Sequence, residues 1–268
     1  MLCFRAARTA LSFSSFPRFS SPRHPTLPCS YAPIKSSISA MSIATGTAAP
    51  PQTVEHIVLF KVKDDTDPSK INSMVSSLNG LISLDPVLHI TAGPLYRTKS
   101  SPIPFTHMLH SRHSAKESLT QYSMHPSHVS VVTDLVRPVC DDIMAVDWVA
   151  DHVNGALTPP PGSVLRVTFL KLKENVGDEA KEEILGVIKE MKGRFQGINQ
   201  ISCGENFSPG RAKGYSIASL AVFPGLSELE AVDSNEALVN LQKEKVRDYL
   251  ESVIVLDYLV SSPQSASL

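Results

Sequence analysis

The sequence predicts an α+β fold in which two ferredoxin-like βαββαβ units pack against each other as an intramolecular dimeric α/β barrel. One observation is an internal repeat, since Val54–Lys63 aligns with Val164–Lys173 at a spacing of about 110 residues. A second is that both copies show the same order of strand and helix patterns. A third is that His56, Val58 and Phe60 form an apolar strand face, which we expect to be covered by the sheet of the other unit.

The first copy begins with a strand over 55–63, whose side chains alternate between two faces. Asp67 and Pro68 then favour the start of a helix, as an N-cap followed by proline at the first helical position. An apolar stripe at helical spacing follows, formed by Ile71, Met74, Val75, Leu78, Leu81 and Ile82. The remaining elements are strands near 87–96 and 104–112, separated by a Lys/Ser/Pro loop, a helix from 114 and a strand over 141–149.

The second copy repeats this order of elements. It has a strand over 164–173, a helix that begins near Asp178, strands near 198–204 and 214–223, a helix from 227 and a strand over 252–260. The predicted domains are therefore 54–150 and 163–260. The segment 151–162, which contains a Pro/Gly run, is the predicted linker.

Composition and charge exclude several classes of function. The chain has 268 residues, of which 42% are hydrophobic and 19% charged, and no apolar run approaches the ~18 residues needed to cross a bilayer. Five of the 25 basic residues precede Glu55, the first acidic residue, so the remainder carries 20 basic against 26 acidic residues and favours no nucleic-acid partner. Cys140 and Cys203, one in each copy, predict neither a disulfide framework nor a common zinc module.

Both ends of the chain carry candidate targeting signals. Residues 1–50 are predicted to be a disordered leader, because they lack acidic residues and are rich in serine with scattered arginine, as transit peptides are. This composition favours an organelle, the chloroplast if the source is a plant. The tail 261–268 ends in Ala266-Ser267-Leu268, which resembles the Ser-Lys-Leu peroxisomal signal without its basic residue, so the peroxisome is an alternative or additional destination.

The stretch Tyr122–His128 holds the densest group of acid–base side chains in the sequence. Pro126 suits the first position of a helix, which would place His128 in the first turn, where the helix dipole disfavours imidazolium. A neutral His128 could accept a proton, while Tyr122 could polarise a carbonyl group with its phenol. The alternative is that His125 and His128 cap a helix and fill a core, with Tyr122 packed beside them.

Two further histidines are candidates for lining a pocket. His56 lies on the first strand and His107 on a later one, and we place both on the face toward the barrel interior. A hydrogen-bonded core histidine is the alternative for His56. A zinc site from His107, His110 and His113 is not expected, because alternate residues of a strand point to opposite faces.

These residues together resemble the stress-responsive A/B barrel family, also called the dabb or dimeric α/β barrel domain. The resemblance rests on the opening Val54–Lys61, on the His-Pro-x-His sequence within Tyr122–Val129, and on the closing Val146–Val149. It covers 54–150 well and 163–260 more loosely. The whole chain resembles plant members that carry two such domains behind a targeting leader.

The resemblance also implies candidate site residues. One relative, olivetolic acid cyclase, is a polyketide cyclase that closes a ring by intramolecular aldol condensation, and its proposed catalytic pair corresponds to Tyr122 and His128, with His125 beside them. A magnesium site of backbone carbonyls at the end of the first helix is implied as well, with a bound crystallisation ion as the alternative. The matching carbonyls belong to Leu78, Leu81, Ile82 and Leu84. No other cofactor is expected.

The second copy lacks the acid–base element. Its three equivalent positions hold Val232, Asn235 and Leu238, and no histidine follows His152. We therefore expect a single pocket, in the first domain, with the second domain as a structural partner in a pseudo-dimer that could assemble further into a homo-oligomer. Three functions stay open: binding of a small apolar or polyketide-like molecule, polyketide cyclase activity, or a structural or interaction role without pocket chemistry.

Overall fold

The computed structural model describes residues 52–150, 153 and 155–261, except the side chains of Leu238 and Gln242. The predicted leader, part of the predicted linker and the tail signal Ala266–Leu268 lie outside the described residues. Within the described part, no helix is both long and apolar enough to cross a membrane.

The first domain follows the predicted order of elements with one addition, a short extra strand. Its strands are β1 (Thr53–Val62), β2 (His89–Pro94), β3 (Arg97–Ser100), β4 (His107–His113) and β5 (Cys140–Ala150). Its helices are α1 (Pro68–Gly80), α2 (Lys116–Met124) and α3 (Pro126–Ser130), and a π-helical segment, Val131–Val136, continues α3. Asp67 caps α1, because its carboxylate accepts a hydrogen bond of 2.7 Å from the backbone N–H of Ser69.

The second domain repeats the pattern. It consists of β6 (Val164–Leu172), α4 (Asp178–Arg194), β7 (Gln200–Glu205), β8 (Ile217–Phe223), α5 (Leu226–Ser234), α6 (Glu236–Val246) and β9 (Leu250–Leu259). A single 3-10 turn, Pro209–Arg211, lies between β7 and β8. The predicted α+β class with two ferredoxin-like units is confirmed.

Two antiparallel sheets form the framework. Their strand orders are β2-β4-β1-β5 and β3-β9-β6-β8-β7. The strand β3 comes from the first domain's chain but pairs with β9 of the second, with Arg97 opposite Asp257. The prediction of a loop over this segment was therefore wrong, because a short polar strand at a sheet edge carries no apolar alternation.

The two sheets pack face to face, and a large apolar cluster lies between them. Ile57 and Leu59 of β1 belong to this cluster, together with Trp148 of β5 and residues of the second sheet such as Phe169. The prediction for β1 was wrong in one respect. The face that carries His56, Val58 and Phe60 does not point into the barrel but lies under α1–α3, where Val58 and Phe60 pack with Met74, Leu78 and Tyr122.

The domains also exchange backbone hydrogen bonds in a reciprocal way. After β2, the N–H of Tyr96 donates to the carbonyl of Asp257 in β9, at 2.9 Å. After β7, the N–H of Phe207 donates to the carbonyl of Asp147 in β5, at 3.0 Å. Each domain therefore sends the segment that follows its second strand onto the closing strand of the other domain.

Candidate functional site

A cavity of about 650 Å³ lies in the first domain between its sheet and helices α1–α3. Its apolar lining comes from Val58, Phe60, Leu78, Leu109, Val132, Val136, Ile143 and Ala145. Its acid–base lining comes from His56, Tyr122, His128 and Asp147. Tyr122 and His128, from the predicted motif, thus share one cavity with His56 of β1.

His56 and Asp147 form a hydrogen-bonded pair on the floor of the cavity. They lie opposite each other in β1 and β5, and Nδ1 of His56 is 2.5 Å from Oδ1 of Asp147. Burial alone would raise the pKa of Asp147, but the charge and hydrogen bond of His56 outweigh it and hold the pKa below its usual value. An ionised Asp147 accepts from Nδ1–H, so Nε2 of His56 remains for other contacts.

The tautomer of His128 follows from its neighbour. Its Nδ1 lies 3.0 Å from the carbonyl oxygen of Ser123, and since a carbonyl can only accept, Nδ1–H is the donor. Burial is the largest cause that lowers the pKa of His128, while the bond to Ser123 acts in the opposite direction. His128 is therefore neutral near pH 7, with Nε2 available as a proton acceptor.

Tyr122 lies directly against His128. The centroids of the two rings are 4.5 Å apart, and Tyr122 is only 1% exposed. Burial raises the pKa of the phenol, so the hydroxyl remains protonated. Among the described residues this hydroxyl has no hydrogen-bond partner, which leaves it able to donate to a ligand in the cavity.

Two of the predicted pocket residues do not line the cavity. His125 is the N-cap of α3, where its Nδ1 accepts a hydrogen bond of 3.2 Å from the N–H of Ser127. Nδ1 of His107 lies 2.9 Å from the hydroxyl of Thr106, on the helix side of the sheet opposite Phe60. The cap was the alternative interpretation for His125, and its chemistry is structural.

Sequence reasoning missed two contributors from the first domain. Asp147 entered the sequence analysis only as part of the closing Val146–Val149 that carries the family resemblance, although its position across from His56 follows from pairing the two strands. His113 does not line the cavity but packs against the ring of Tyr122, with the two ring centroids 5.0 Å apart. Its own ring is fixed by a 2.9 Å bond from Nδ1 to the carbonyl of Pro86 and a 3.0 Å contact from Nε2 to Ser111.

The second domain also contributes to this cavity. Four consecutive residues, Ser208–Arg211, complete the lining from the segment that follows β7. The expectation that the second domain is only a structural partner was therefore wrong. No motif in this segment suggests a site, and its role depends on the reciprocal exchange between domains.

The equivalent position in the second domain holds ion pairs instead of acid–base groups. Arg166 replaces His56 and lies 2.7 Å from Oδ1 of Asp257 and 2.7 Å from Oδ1 of Asp233. Arg97 and Lys99, from β3, reach Asp233 at 2.8 and 2.6 Å. We call this set of five side chains the charge cluster. Burial disfavours the charged forms, but their mutual bonds outweigh it, lowering the pKa of Asp233 and raising that of Arg166.

Three of the four backbone carbonyls predicted as magnesium ligands, those of Leu78, Leu81 and Leu84, already accept hydrogen bonds. The N–H of Leu81 bonds to the carbonyl of Leu78, that of Leu84 to Leu81, and that of Val87 to Leu84. The set also contains no carboxylate, so it offers a cation only weak dipoles and fits it poorly. In the described part of the chain, no group of three or more His, Cys, Asp or Glu side chains is arranged to hold a metal ion.

Comparison with known proteins gives a consistent result. The family model described as Stress responsive A/B Barrel Domain matches residues 54–150 and 164–260. Two stress-response A/B barrel domain-containing proteins of Arabidopsis thaliana are similar to the chain over most of its length. One is 58% identical over 233 residues, covering 87% of each chain. The other is 50% identical over 211 residues, covering 78% of this chain and 97% of that protein.

A solved structure shows the same fold at low identity. The structure of an anthrone oxidase-like protein superposes with a TM-score of 0.54 and 10% identity, covering 82% of this chain and 98% of that one. At this identity the likeness concerns the fold alone.

Proposed function

The chain belongs to the stress-responsive A/B barrel family, and we propose that it binds one small apolar or polyketide-like molecule per chain, in the cavity of its first domain. The observation that carries the proposal is the cavity of about 650 Å³, whose exposed wall is mostly apolar and whose lining includes the acid–base side chains of His56, Tyr122, His128 and Asp147. Of the three functions left open by the sequence, the cavity favours ligand binding or catalysis over a purely structural role. A purely structural role would favour a packed interior at Tyr122 and His128.

The binding proposal is tested by filling the cavity. Val58 lines it from the middle of β1, and Thr168 is the matching residue of β6 in the second domain. We expect Val58→Phe to weaken binding of an apolar fluorescent dye at least about tenfold, because the added ring occupies ligand space. Thr168→Phe is the matched control and should leave the affinity unchanged. A titration with a stoichiometry other than one, or equal affinities in both variants, would contradict the proposal.

A second candidate function is acid–base catalysis on a poly-β-keto substrate. The specific observation that favours it is that a proton acceptor, Nε2 of His128, and a proton donor, the hydroxyl of Tyr122, belong to two rings that lie against each other at one wall of the cavity. General acid–base groups of this kind accelerate reactions by about 10²–10⁴-fold.

The proposed reaction is an intramolecular aldol addition. Nε2 of His128 removes a proton from a carbon between two carbonyl groups, which leaves an enolate. The enolate carbon forms a C–C bond to a second carbonyl carbon of the same molecule, and the π-electron pair of that carbonyl moves to its oxygen. Tyr122 donates a hydrogen bond to this developing alkoxide, which then takes the proton held by His128.

Turnover measurements decide between binder and enzyme. Tri- and tetraketide thioesters are incubated with the wild type, with Tyr122→Phe and with His128→Ala, and cyclised products are quantified. Catalysis predicts a loss of about 10²-fold or more in His128→Ala and a smaller loss in Tyr122→Phe. Equal product formation by the wild type and His128→Ala would end the catalytic candidate and leave binding untouched.

We further propose that the leader directs the protein to the chloroplast, with the peroxisome as an additional destination through Ala266-Ser267-Leu268. Fluorescent fusions that mask either end separate the two. An unchanged location after masking the C-terminus would remove the peroxisome.

A further inference from the structure

We propose that the ligand carries an anionic group, such as a carboxylate, which Arg137 and Arg211 bind at the mouth of the cavity. This inference rests on the proposed binding function and adds the chemical class of the ligand. The two arginines line the same cavity from opposite domains and are both exposed, so they mark its rim.

Most arginines in the described part of the chain form ion pairs. The described residues include seven arginines, and five of them form ion pairs with carboxylates. These five are Arg97, Arg112, Arg166, Arg194 and Arg247. Within the described part of the chain, the two without an ion pair are Arg137 and Arg211, and these are the two that line the cavity.

The cavity lining offers Arg137 and Arg211 no unpaired carboxylate as a partner. Asp147 is the single acidic side chain in its lining, and it is engaged by His56. Because Asp147 is paired with His56 and His128 is neutral, the positive charges of Arg137 and Arg211 have no unpaired negative charge beside them in the lining. An excess of positive charge at the mouth of a low-dielectric cavity attracts anions.

The fold fixes the backbone positions from which the side chains of Arg137 and Arg211 extend. Arg137 follows directly on the π-helical segment, and Arg211 closes the 3-10 turn whose first residue is Pro209. Arg211 is close enough to the acid–base group for its charge to contribute to the lowered pKa of His128, after burial and the charge of His56. Because Arg211 and His128 line the same cavity, a molecule that contacts His128 there can also reach Arg211.

The chemistry of the ligand follows from this geometry. A guanidinium group presents paired N–H donors that match the two oxygens of a carboxylate, and such charge-assisted bonds are roughly twice as strong as neutral ones. Because both arginines are exposed, the acidic end of the ligand stays partly hydrated while its apolar body enters the cavity. The ligand avoids the large cost of burying a bare anion.

A pair of matched probes tests the inference on the full chain. Calorimetric titration compares 6-phenylhexanoate with 6-phenylhexanamide, which share one body and differ in charge. We expect the wild type to bind the carboxylate about tenfold more tightly or better. In the variant carrying both Arg137→Gln and Arg211→Gln, the preference should fall to about twofold or less, with the amide affinity unchanged. Arg247→Gln, at an exposed arginine of the second domain that does not line the cavity, should keep the preference.

The outcomes separate this inference from the proposed function. If the wild type binds both probes equally, or if the double variant keeps the preference, the anionic group is refuted and the binding proposal stands. If neither probe binds and the apolar dye also fails to bind, the anionic-group inference and the proposed binding function are both refuted. A preference that decreases with added salt, in the wild type but not in the double variant, is the further result expected of an ionic contact.

Discussion

The two domains place equivalent residues at equivalent positions and use them in opposite ways. His56 and Arg166 stand at the same point of β1 and β6, and Asp147 and Asp257 at the same point of β5 and β9. In the first domain the pair is one histidine and one carboxylate beside a cavity. In the second domain an arginine joins Asp257 to Asp233 within the charge cluster.

The difference shows how few substitutions separate a lined cavity from a cluster of ion pairs in this fold. Tyr122 contributes a ring and a hydroxyl to the cavity, while its counterpart Val232 belongs to the apolar cluster under α5. Ser123 offers a carbonyl to His128, whereas its counterpart Asp233 offers a carboxylate to three cations. The backbone is retained, and a few side chains decide whether the position borders a cavity or is filled by ion pairs.

The largest effect that would sharpen this comparison concerns the charge cluster. Arg166→Met should lower the free energy of unfolding by about 3 kcal/mol, because Asp257, which is 0% exposed, loses a main ion-pair partner. The matched change His56→Met should cost about 1 kcal/mol, since Asp147 borders a cavity that water can enter. Urea denaturation at neutral pH measures both. Equal losses would show that the cluster has no special structural role.

A smaller expected effect is the loss of folding stability at acidic pH. Burial is the main cause that lowers the pKa of His89 to about 3 and that of His113 to about 4. The folded protein then binds fewer protons than the unfolded chain, so stability falls as pH drops below about 6.5, by about 2 kcal/mol for each of the two histidines at pH 5.

The second domain has no histidine, so this acid sensitivity should be confined to the first. Hydrogen-exchange protection factors, which correct for the intrinsic rate at each pH, should fall at pH 5 in β2 and β4 before they do in β7 and β8. His89→Leu should flatten the dependence, and since Nε2 of His89 has no partner in the described structure, the change sacrifices no bond there. An equal fall in protection factors across both sheets would contradict the assignment.

The smallest effect compares two aligned glycines. A Cβ at Gly204 in β7 would lie 2.9 Å from the carbonyl oxygen of Val149, a backbone atom that cannot move freely. At Gly93 in β2 the nearest atom, at 3.3 Å, is the hydroxyl of Tyr258. Gly204→Ala should therefore cost about 2 kcal/mol and Gly93→Ala less than about 1 kcal/mol, as measured by thermal unfolding. If Gly93→Ala were the more destabilising change, the packing between β7 and β5 at Gly204 would be less tight than these distances indicate.

Local patterns were sufficient to predict the fold class. The spacing between Val54 and Val164 indicated a duplication, and the cap at Asp67 and Pro68 correctly marked the start of a helix. What failed was the direction in which β1 faces. Both of its faces are apolar, and alternation alone cannot distinguish cover by helices from cover by a sheet.

The site was only partly accessible to the same reasoning. Tyr122 and His128 could be proposed because they lie close together in sequence, whereas Asp147 and Arg211 reach the cavity through long-range pairing. The charge cluster had a usable signal, since the repeat alignment places Arg166 at the position of His56. Its other cations, Arg97 and Lys99, depend on an exchange between domains that no local pattern reports.

The reciprocal exchange of segments has a genetic consequence. In a dimer of identical chains, any substitution in the segment after the second strand is present at both sites at once. Here Arg97–Ser100 and Ser208–Arg211 are encoded separately, so one can supply cations to a charge cluster while the other lines a cavity. Because both domains belong to one chain, they are always present in equal numbers, as in a heterodimer of fixed stoichiometry. Substitutions can therefore make the two domains differ while they stay joined.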